Sequence, residues 1–338
     1  MRAYEITAGS HGIEGIRPTT RPDPTPGPHD ILVRMRATSL NYRDLMIAAG
    51  QYMGGVATQN TIALSDGAGE VTAVGSQVTR FAAGDRVMGT FFRDWVSGTI
   101  PTGPRAALGA QPTDGVLSEW STFHESDAVK VPDTLSFEAA ATLPCAAVTA
   151  WHALMSVGQL QAGQTVLALG TGGVSIFALQ IARMAGARVI ITSSSDSKLE
   201  RARALGASDT INYRSTPDWE QEVLKRTQGR GADIVVEVGG AGTLGKSLQA
   251  VAPGGKVMII GVLTGRVGDA NPYAILSKYA SLHGIFVGSR TMFEDLNKAL
   301  EINRITPVVD RVFSFDETHE ALKYMQRGDH FGKVVIRL

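Results

Sequence analysis

The stretch LALGTGGVSIFALQIARMAGARVIITSSSDSK, from Leu167 to Lys198, decides the fold. An apolar run breaks at glycines, resumes with helical spacing of its apolar residues, and is followed by a second apolar run that ends in serines. Short unbroken runs of Val, Ile and Leu mark strands buried on both faces, which pair in parallel across helical crossovers. GTGGVS sets Gly170 and Gly172 between strand and helix, with Ser175 where this fingerprint usually has Gly or Ala. Gly170 permits the tight turn, Gly172 lets the backbone approach a pyrophosphate, and the helix amides favour its charge. Gly170, Thr171, Gly172, Gly173 and Val174 are therefore the expected dinucleotide loop.

Working outward, the series continues from Thr165 as TVLALG, RVIITS, TINY, ADIVVEVG, GKVMIIGV and HGIFVGS, with amphipathic stretches such as DSKLERARAL and PDWEQEVLKRTQ between them. Six such strands predict an α/β domain with a doubly wound parallel sheet. Met1 to Val131 reads differently, as short β runs punctuated by Gly, Pro and Asp, in the manner of a barrel or meander. RPDPTPGPHD at 21–30 reads as a surface connection and 94–115 as a long irregular loop. The tail RVFSFDETHEALKYMQRGDHFGKVVIRL reads strand, helix, strand and is expected to pack back on the first domain.

A chain of 338 residues exceeds the usual size of one core, so two domains are expected. Lys plus Arg and Asp plus Glu both number 32, which predicts no general attraction to nucleic acid or to an anionic membrane. No apolar window is long enough to span a bilayer and the N-terminus has no apolar leader core, so a soluble, cytoplasmic protein is expected. Cys145 is the single cysteine, which excludes an internal disulfide and a multi-cysteine zinc site.

In an NAD site a carboxylate about 20 residues past the glycine loop accepts the ribose hydroxyls. That position falls near Thr192 and Ser193, where hydroxyls replace the carboxylate, with Lys198 one helical turn on. A 2′-phosphate suits that environment, so NADP(H) is the expected cofactor. Two alternatives stay open: Ser195, Asp196 or Ser197 merely caps the next helix, SKLE from Ser197 to Glu200 matching a capping box, and Asp196 swinging to the ribose would restore NAD use.

The chain resembles the medium-chain dehydrogenase/reductase family, and within it the zinc-independent quinone oxidoreductase-like branch. The resemblance rests on SLNYRDLMIAAGQY at 39–52, SDGAGEVTAVGSQVTRFAAGDRV at 65–87, GTGGVS and GKVVI, and covers nearly the whole chain. It implies a GroES-like β-barrel catalytic domain at 1–131, completed by 304–338, and a Rossmann domain at 132–303, with a cleft for cofactor and substrate. It further implies that Ser193, Ser194, Lys198 and Tyr213 surround the 2′-phosphate. Thr149, Val238, Gly239, Gly261, Val262, Phe286 and Val287 match positions that touch the nicotinamide half. Zinc-dependent relatives place metal ligands where this chain has Asn41, Ser65 and Cys145, so no metal is expected. The seven histidines are scattered without ligand spacing, His152 being the one nearest the implied cleft.

Without a metal to polarise an alcohol oxygen, hydride transfer to a quinone or an enone is the expected reaction, because conjugation carries the charge to an oxygen that N–H or O–H donors can stabilise. Asn41 and Tyr52 are the expected donors, Tyr52 matching the proton-donating tyrosine of related enoyl reductases. Arg43 and Asp44 are expected to brace the loop, and Phe91, Phe92 and Trp95 either to wall a pocket for an apolar or aromatic carbonyl substrate or, equally, to lie in the core. An alcohol dehydrogenase-like activity and a non-catalytic NADPH-binding role are the alternatives. HGIFVGS is apolar enough for edge pairing, so a homodimer is expected.

Overall fold

The computed structural model describes residues 1–53, 55–102, 107–268 and 271–338. It divides into two compact units, Met1–Val148 with Gly288–Leu338, and Thr149–Val287. The divisions lie at 148/149 and 287/288 rather than at 131/132 and 303/304. The reason is side-chain anchoring: Ser39 Oγ donates to Ala141 O at 2.9 Å and Asn297 Nδ2 to Lys130 O at 3.0 Å, tying both reassigned segments to the first unit.

The second unit is a six-stranded parallel sheet. Its spatial order is Asp209–Asn212, Arg188–Ser193, Thr165–Ala168, Ala232–Glu237, Val251–Ile259 and Ser281–Gly284. The chain starts in the middle, winds to one edge, then returns and winds to the other, as a doubly wound sheet does. Val166, Leu167, Val189, Ile190, Ile234 and Val235 are almost wholly enclosed, which explains their unbroken apolar reading. The last strand stops at Gly284, Ile285 N still donates to Ile259 O at 2.9 Å, and FVGS of the expected sixth strand leaves the sheet.

In the first unit, Asp30–Ser39 is the central strand of a largely antiparallel sheet. It pairs with Asp66–Val74, Trp120–His124 and Lys333–Arg337, while Arg2–Ile6 joins a separate three-stranded sheet. Ile31, Val33, Phe123, Phe313, Leu322 and Ile336 share one apolar cluster, so the two chain ends build a single core. The tail is strand Val309–Ser314, helix Thr318–Gln326 and strand Lys333–Arg337, and its two strands pair in parallel. Among the described residues no helix is long and apolar enough to cross a membrane.

Gly261 comes just after the strand Val251–Ile259, and a Cβ there would lie 2.1 Å from the Val238 carbonyl oxygen. Backbone cannot step aside cheaply. Gly261→Ala should therefore lose on the order of 1–3 kcal/mol. A urea midpoint shifted to lower concentration at constant slope checks this, and an unchanged midpoint would refute the close approach.

Candidate active site

Strand direction locates the dinucleotide end of the second unit. The segments after its six parallel strands carry Gly170 to Val174, then Ser194 and Lys198, Tyr213, Val238 and Gly239, Gly261 and Val262, and finally Phe286 and Val287. Every expected cofactor residue except Thr149 thus stands at a carboxyl end of the sheet, where open α/β sheets bind ligands. Thr149 is buried at the start of the unit, in the helix Val148–Trp151.

Gly170 has φ 74°, so the turn itself demands glycine. Gly172 has an ordinary φ of −79°, and its missing side chain matters only for what approaches it. It precedes the helix Gly173–Met184, whose first amides receive no side-chain cap and so suit a pyrophosphate. Ser175 is buried and donates to Leu169 O at 2.6 Å, meeting the small-residue requirement between helix and strand.

The serine run divides its work. The Thr192 hydroxyl accepts from Gly170 N at 3.1 Å, and the Ser193 hydroxyl lies buried 3.3 Å from Thr171 Oγ1, so both fasten the glycine loop. Ser195, one of the expected capping candidates, caps the helix Asp196–Ala204, accepting from Lys198 N at 3.4 Å. Asp196 accepts from Asn212 Nδ2 at 2.7 Å. Ser194, Lys198 and the half-exposed Tyr213 are left at the surface of this end. Glu237, which carries no signal in the sequence pattern, is wholly buried and receives Gly239 N, Gly240 N and Thr243 Oγ1 at 2.7, 3.0 and 2.6 Å, with Ser247 on its other oxygen. It pins the turn that bears Val238 and Gly239.

In the first unit, strand register gathers Asn41, Asp66 and Lys333. Ser39 pairs with Asp66 on one side and with Val335 on the other, so the next residues meet at one end of three strands. The buried Lys333 ammonium donates to Leu40 O and to Asn41 Oδ1, both at 2.6 Å, and lies 3.8 Å from Asp66. Asp66 also accepts from Ser65 Oγ at 2.7 Å and from Cys145 N at 3.0 Å. An ammonium only donates, so the Asn41 oxygen must face it and the amide nitrogen must face away. That nitrogen is buried and has no hydrogen-bond partner.

The positions of Asn41, Ser65 and Cys145 do come together, but around the Lys333–Asp66 pair, Asn41 on the ammonium and the other two on the carboxylate. Desolvation, and then the Asp66 carboxylate, push the Cys145 thiol well above its ordinary range. An amide, a hydroxyl and a single thiol, with the Asp66 carboxylate facing a lysine ammonium, are a donor set that does not fit a catalytic zinc of three protein ligands.

Tyr52 borders a small depression of about 10 Å³ with Ile6, Ile47, Met53 and Ala57. The Arg43 guanidinium lies 4.9 Å from the centre of the Tyr52 ring and 4.6 Å from that of Phe91. Arg43 also donates to Leu108 O at 2.9 Å and sits 3.6 Å from Asp44, the bracing role expected of this pair. Burial raises the Tyr52 phenol above its ordinary range against the opposing pull of Arg43. Phe91, Phe92 and Trp95 form a buried aromatic cluster with ring centres 4.8 and 6.0 Å apart, so they are core rather than open pocket walls.

Burial also raises Asp44 from 3.8 to about 6, outweighing Arg43 and the Asn41 amide that donates to it at 2.7 Å. A carboxyl with a folded pKa above its unfolded one costs stability as pH rises through that interval. Asp44→Asn removes the cost and keeps an acceptor for the Asn41 amide. Between pH 4 and 6 the variant should gain on the order of 1–3 kcal/mol relative to the parent, with no further gain above pH 7. Urea midpoints across that range test the sign, and a gap independent of pH contradicts it.

Comparison with known proteins agrees with this architecture. Residues 27–133 match the alcohol dehydrogenase GroES-like domain model and residues 173–302 the zinc-binding dehydrogenase model. A zinc-type alcohol dehydrogenase-like protein of Schizosaccharomyces pombe is 43% identical over 99% of both chains. A quinone oxidoreductase of Pseudomonas aeruginosa is 36% identical over 76% of this chain and 72% of its own. Among solved structures, a putative alcohol dehydrogenase of Sinorhizobium meliloti superposes with a TM-score of 0.91 at 43% identity, and an NAD-dependent alcohol dehydrogenase with 0.90 at 32%, each covering both chains fully. With a GroES-like domain, a Rossmann domain whose strand ends suit a nicotinamide cofactor, and relatives of this identity along its whole length, the chain belongs to the medium-chain dehydrogenase/reductase family of NAD(P)-dependent oxidoreductases.

Proposed function

We propose that the protein is an NADPH-dependent reductase of quinones or of C=C bonds conjugated to a carbonyl, working without a metal ion. The observation that carries this reading is the Asn41 amide nitrogen, a dry donor held outward by Lys333 at a position where zinc-dependent relatives have a ligand. A fixed N–H in a site closed to water stabilises charge growing on an oxygen, and it is worth more there than in solvent. It does not replace the Lewis acid that alcohol oxidation uses.

When bound, the nicotinamide supplies the hydride for such an acceptor. Asn41 Nδ2 then donates to the carbonyl or quinone oxygen on which negative charge collects. Tyr52 keeps its proton at neutral pH, because burial opposes the phenolate, and gives it to the reduced product. Arg43, stacked on the Tyr52 ring, offsets the negative charge left behind.

Preference for NADP(H) rests on Ser194, Lys198 and Tyr213, together with the tie between Asp196 and Asn212 that draws the Asp196 carboxylate toward the neighbouring strand. A second reading, NAD-linked alcohol oxidation, draws support from the name of one structural neighbour. We also propose a homodimer. Ser281–Gly284 is an edge strand, and Tyr273, Leu276 and Tyr279 near it in the chain are exposed. Light scattering should give twice the chain mass, and the single-chain mass refutes the dimer.

The reaction is tested by following NADPH and NADH oxidation against quinones, enones and aldehydes, and NADP- and NAD-linked alcohol oxidation, each with and without chelator. Chelator-insensitive reduction of quinones or enones is expected, with NADPH preferred and the preference reduced in Lys198→Ala. Tyr52→Phe should lower kcat about 10²-fold with little change in KM. Chelator-sensitive alcohol oxidation would establish the second reading instead.

A further inference from the structure

Val287 is the one β-branched residue with a left-handed backbone among the described residues, at φ 51°. A branched Cβ crowds the backbone in that region, so the conformation persists only where surroundings hold it. One such hold is visible. His152 Nδ1 lies 2.7 Å from the Val287 carbonyl oxygen, 135 residues away in the chain. A carbonyl oxygen only accepts, so Nδ1 carries the hydrogen and donates. Burial keeps this imidazole neutral at pH 7, with its pKa below the usual histidine range.

The local backbone on the histidine side is also unusual. His152 opens a π-helical turn, His152–Val157, and a second such turn, Leu143–Ala147, lies just before it. Wide turns of this kind are rare and concentrate where a chain serves a function. On the other side, Phe286 and Val287 come after the last strand of the sheet, at the end where the dinucleotide is proposed to lie. A mere connection from Gly284 to the next helix, Arg290–Ile302, would not require a valine in a conformation that favours glycine.

We propose that His152 is a positioning residue for the nicotinamide end of the cofactor, holding the left-handed backbone of Val287 through the hydrogen bond to its carbonyl. The inference rests on the reading that Phe286 and Val287 border the nicotinamide. It does not depend on whether the cofactor carries a 2′-phosphate. The histidine acts on the protein backbone, and the backbone presents itself to the ligand.

The test separates the two halves of the dinucleotide. Calorimetric titration of the purified full chain with NADPH and NADH selects the cofactor. The matching fragment without nicotinamide, 2′,5′-ADP or 5′-AMP, reports the adenosine half alone. His152→Ala should raise the Kd of the whole cofactor about 3- to 10-fold, the factor a lost hydrogen bond carries, and leave that of the fragment within about twofold. His152→Asn, whose amide nitrogen can take the place of Nδ1, should restore most of the affinity. In a Val287→Gly background the cost of His152→Ala should shrink, because glycine adopts φ 51° without the clash. Equal weakening of cofactor and fragment, or an undiminished loss in the Val287→Gly background, would make His152 a packing residue and overturn the proposal. Should His152→Ala fail to fold, His152→Leu, which keeps the bulk and removes the donor, takes its place in the parent and in the Val287→Gly background. A loss of cofactor affinity as large in the Val287→Gly background as in the parent then overturns the proposal. A wild-type chain that binds the fragment but gains nothing from the nicotinamide half overturns the proposal while leaving the adenosine site standing. One that binds neither removes the cofactor reading itself.

Discussion

A lysine ammonium enclosed at the meeting point of three strands organises the first unit. Lys333 spends its hydrogen bonds on Leu40 O and Asn41 Oδ1 and faces Asp66 at 3.8 Å. An isolated buried charge costs several kcal/mol, so neither Lys333 nor Asp66 tolerates loss of the other. Because side chains alternate across a strand, a one-residue slip of Lys333–Arg337 against Asp30–Ser39 would turn the ammonium to the opposite face. Register, core and site are thereby specified together: the slip that strands the charge also displaces Val334 and Ile336 from the apolar cluster.

The second unit meets a different constraint. Its six parallel strands all end at the same side, and the segment after each strand must turn sharply without blocking a ligand. Glycine solves this at Gly170 by conformation and at Gly261 by proximity to the Val238 carbonyl. Elsewhere a side chain does it. Glu237 gathers the amides of Gly239 and Gly240 into one carboxylate, and His152 holds Val287 in a conformation valine would otherwise avoid. Such over-determined turns keep their shape before a ligand arrives, which is what preorganised binding requires.

Membership of a family whose model is described as a zinc-binding dehydrogenase does not carry a metal with it. Asn41, Ser65 and Cys145 lie beside the Lys333–Asp66 pair, an amide, a hydroxyl and a thiol around two opposite charges. An amide held by an ammonium offers a directed hydrogen bond where a zinc ion would offer Lewis acidity. Under the proposed function, that exchange favours acceptors that spread their charge over a conjugated system.

The sequence by itself determined the doubly wound sheet, because parallel strands buried on both faces must read as unbroken apolar runs between helices. It also determined the glycine loop, where spacing reflects backbone needs that only small residues meet, and Asn41 was legible within a family segment. Tertiary structure alone decided the rest. Lys333 sits 292 residues from Asn41, and no local pattern announces that partnership. Ser193 and Ser194 look alike in the sequence, yet one side chain points inward to the glycine loop and the other stays nearer the surface. Phe91, Phe92 and Trp95 have a composition that suits pocket and core equally, and long-range packing chose core. The unit boundaries moved for the same reason: hydrogen bonds such as Asn297 to Lys130, made between segments distant in the chain, fix where one compact body stops and the other starts.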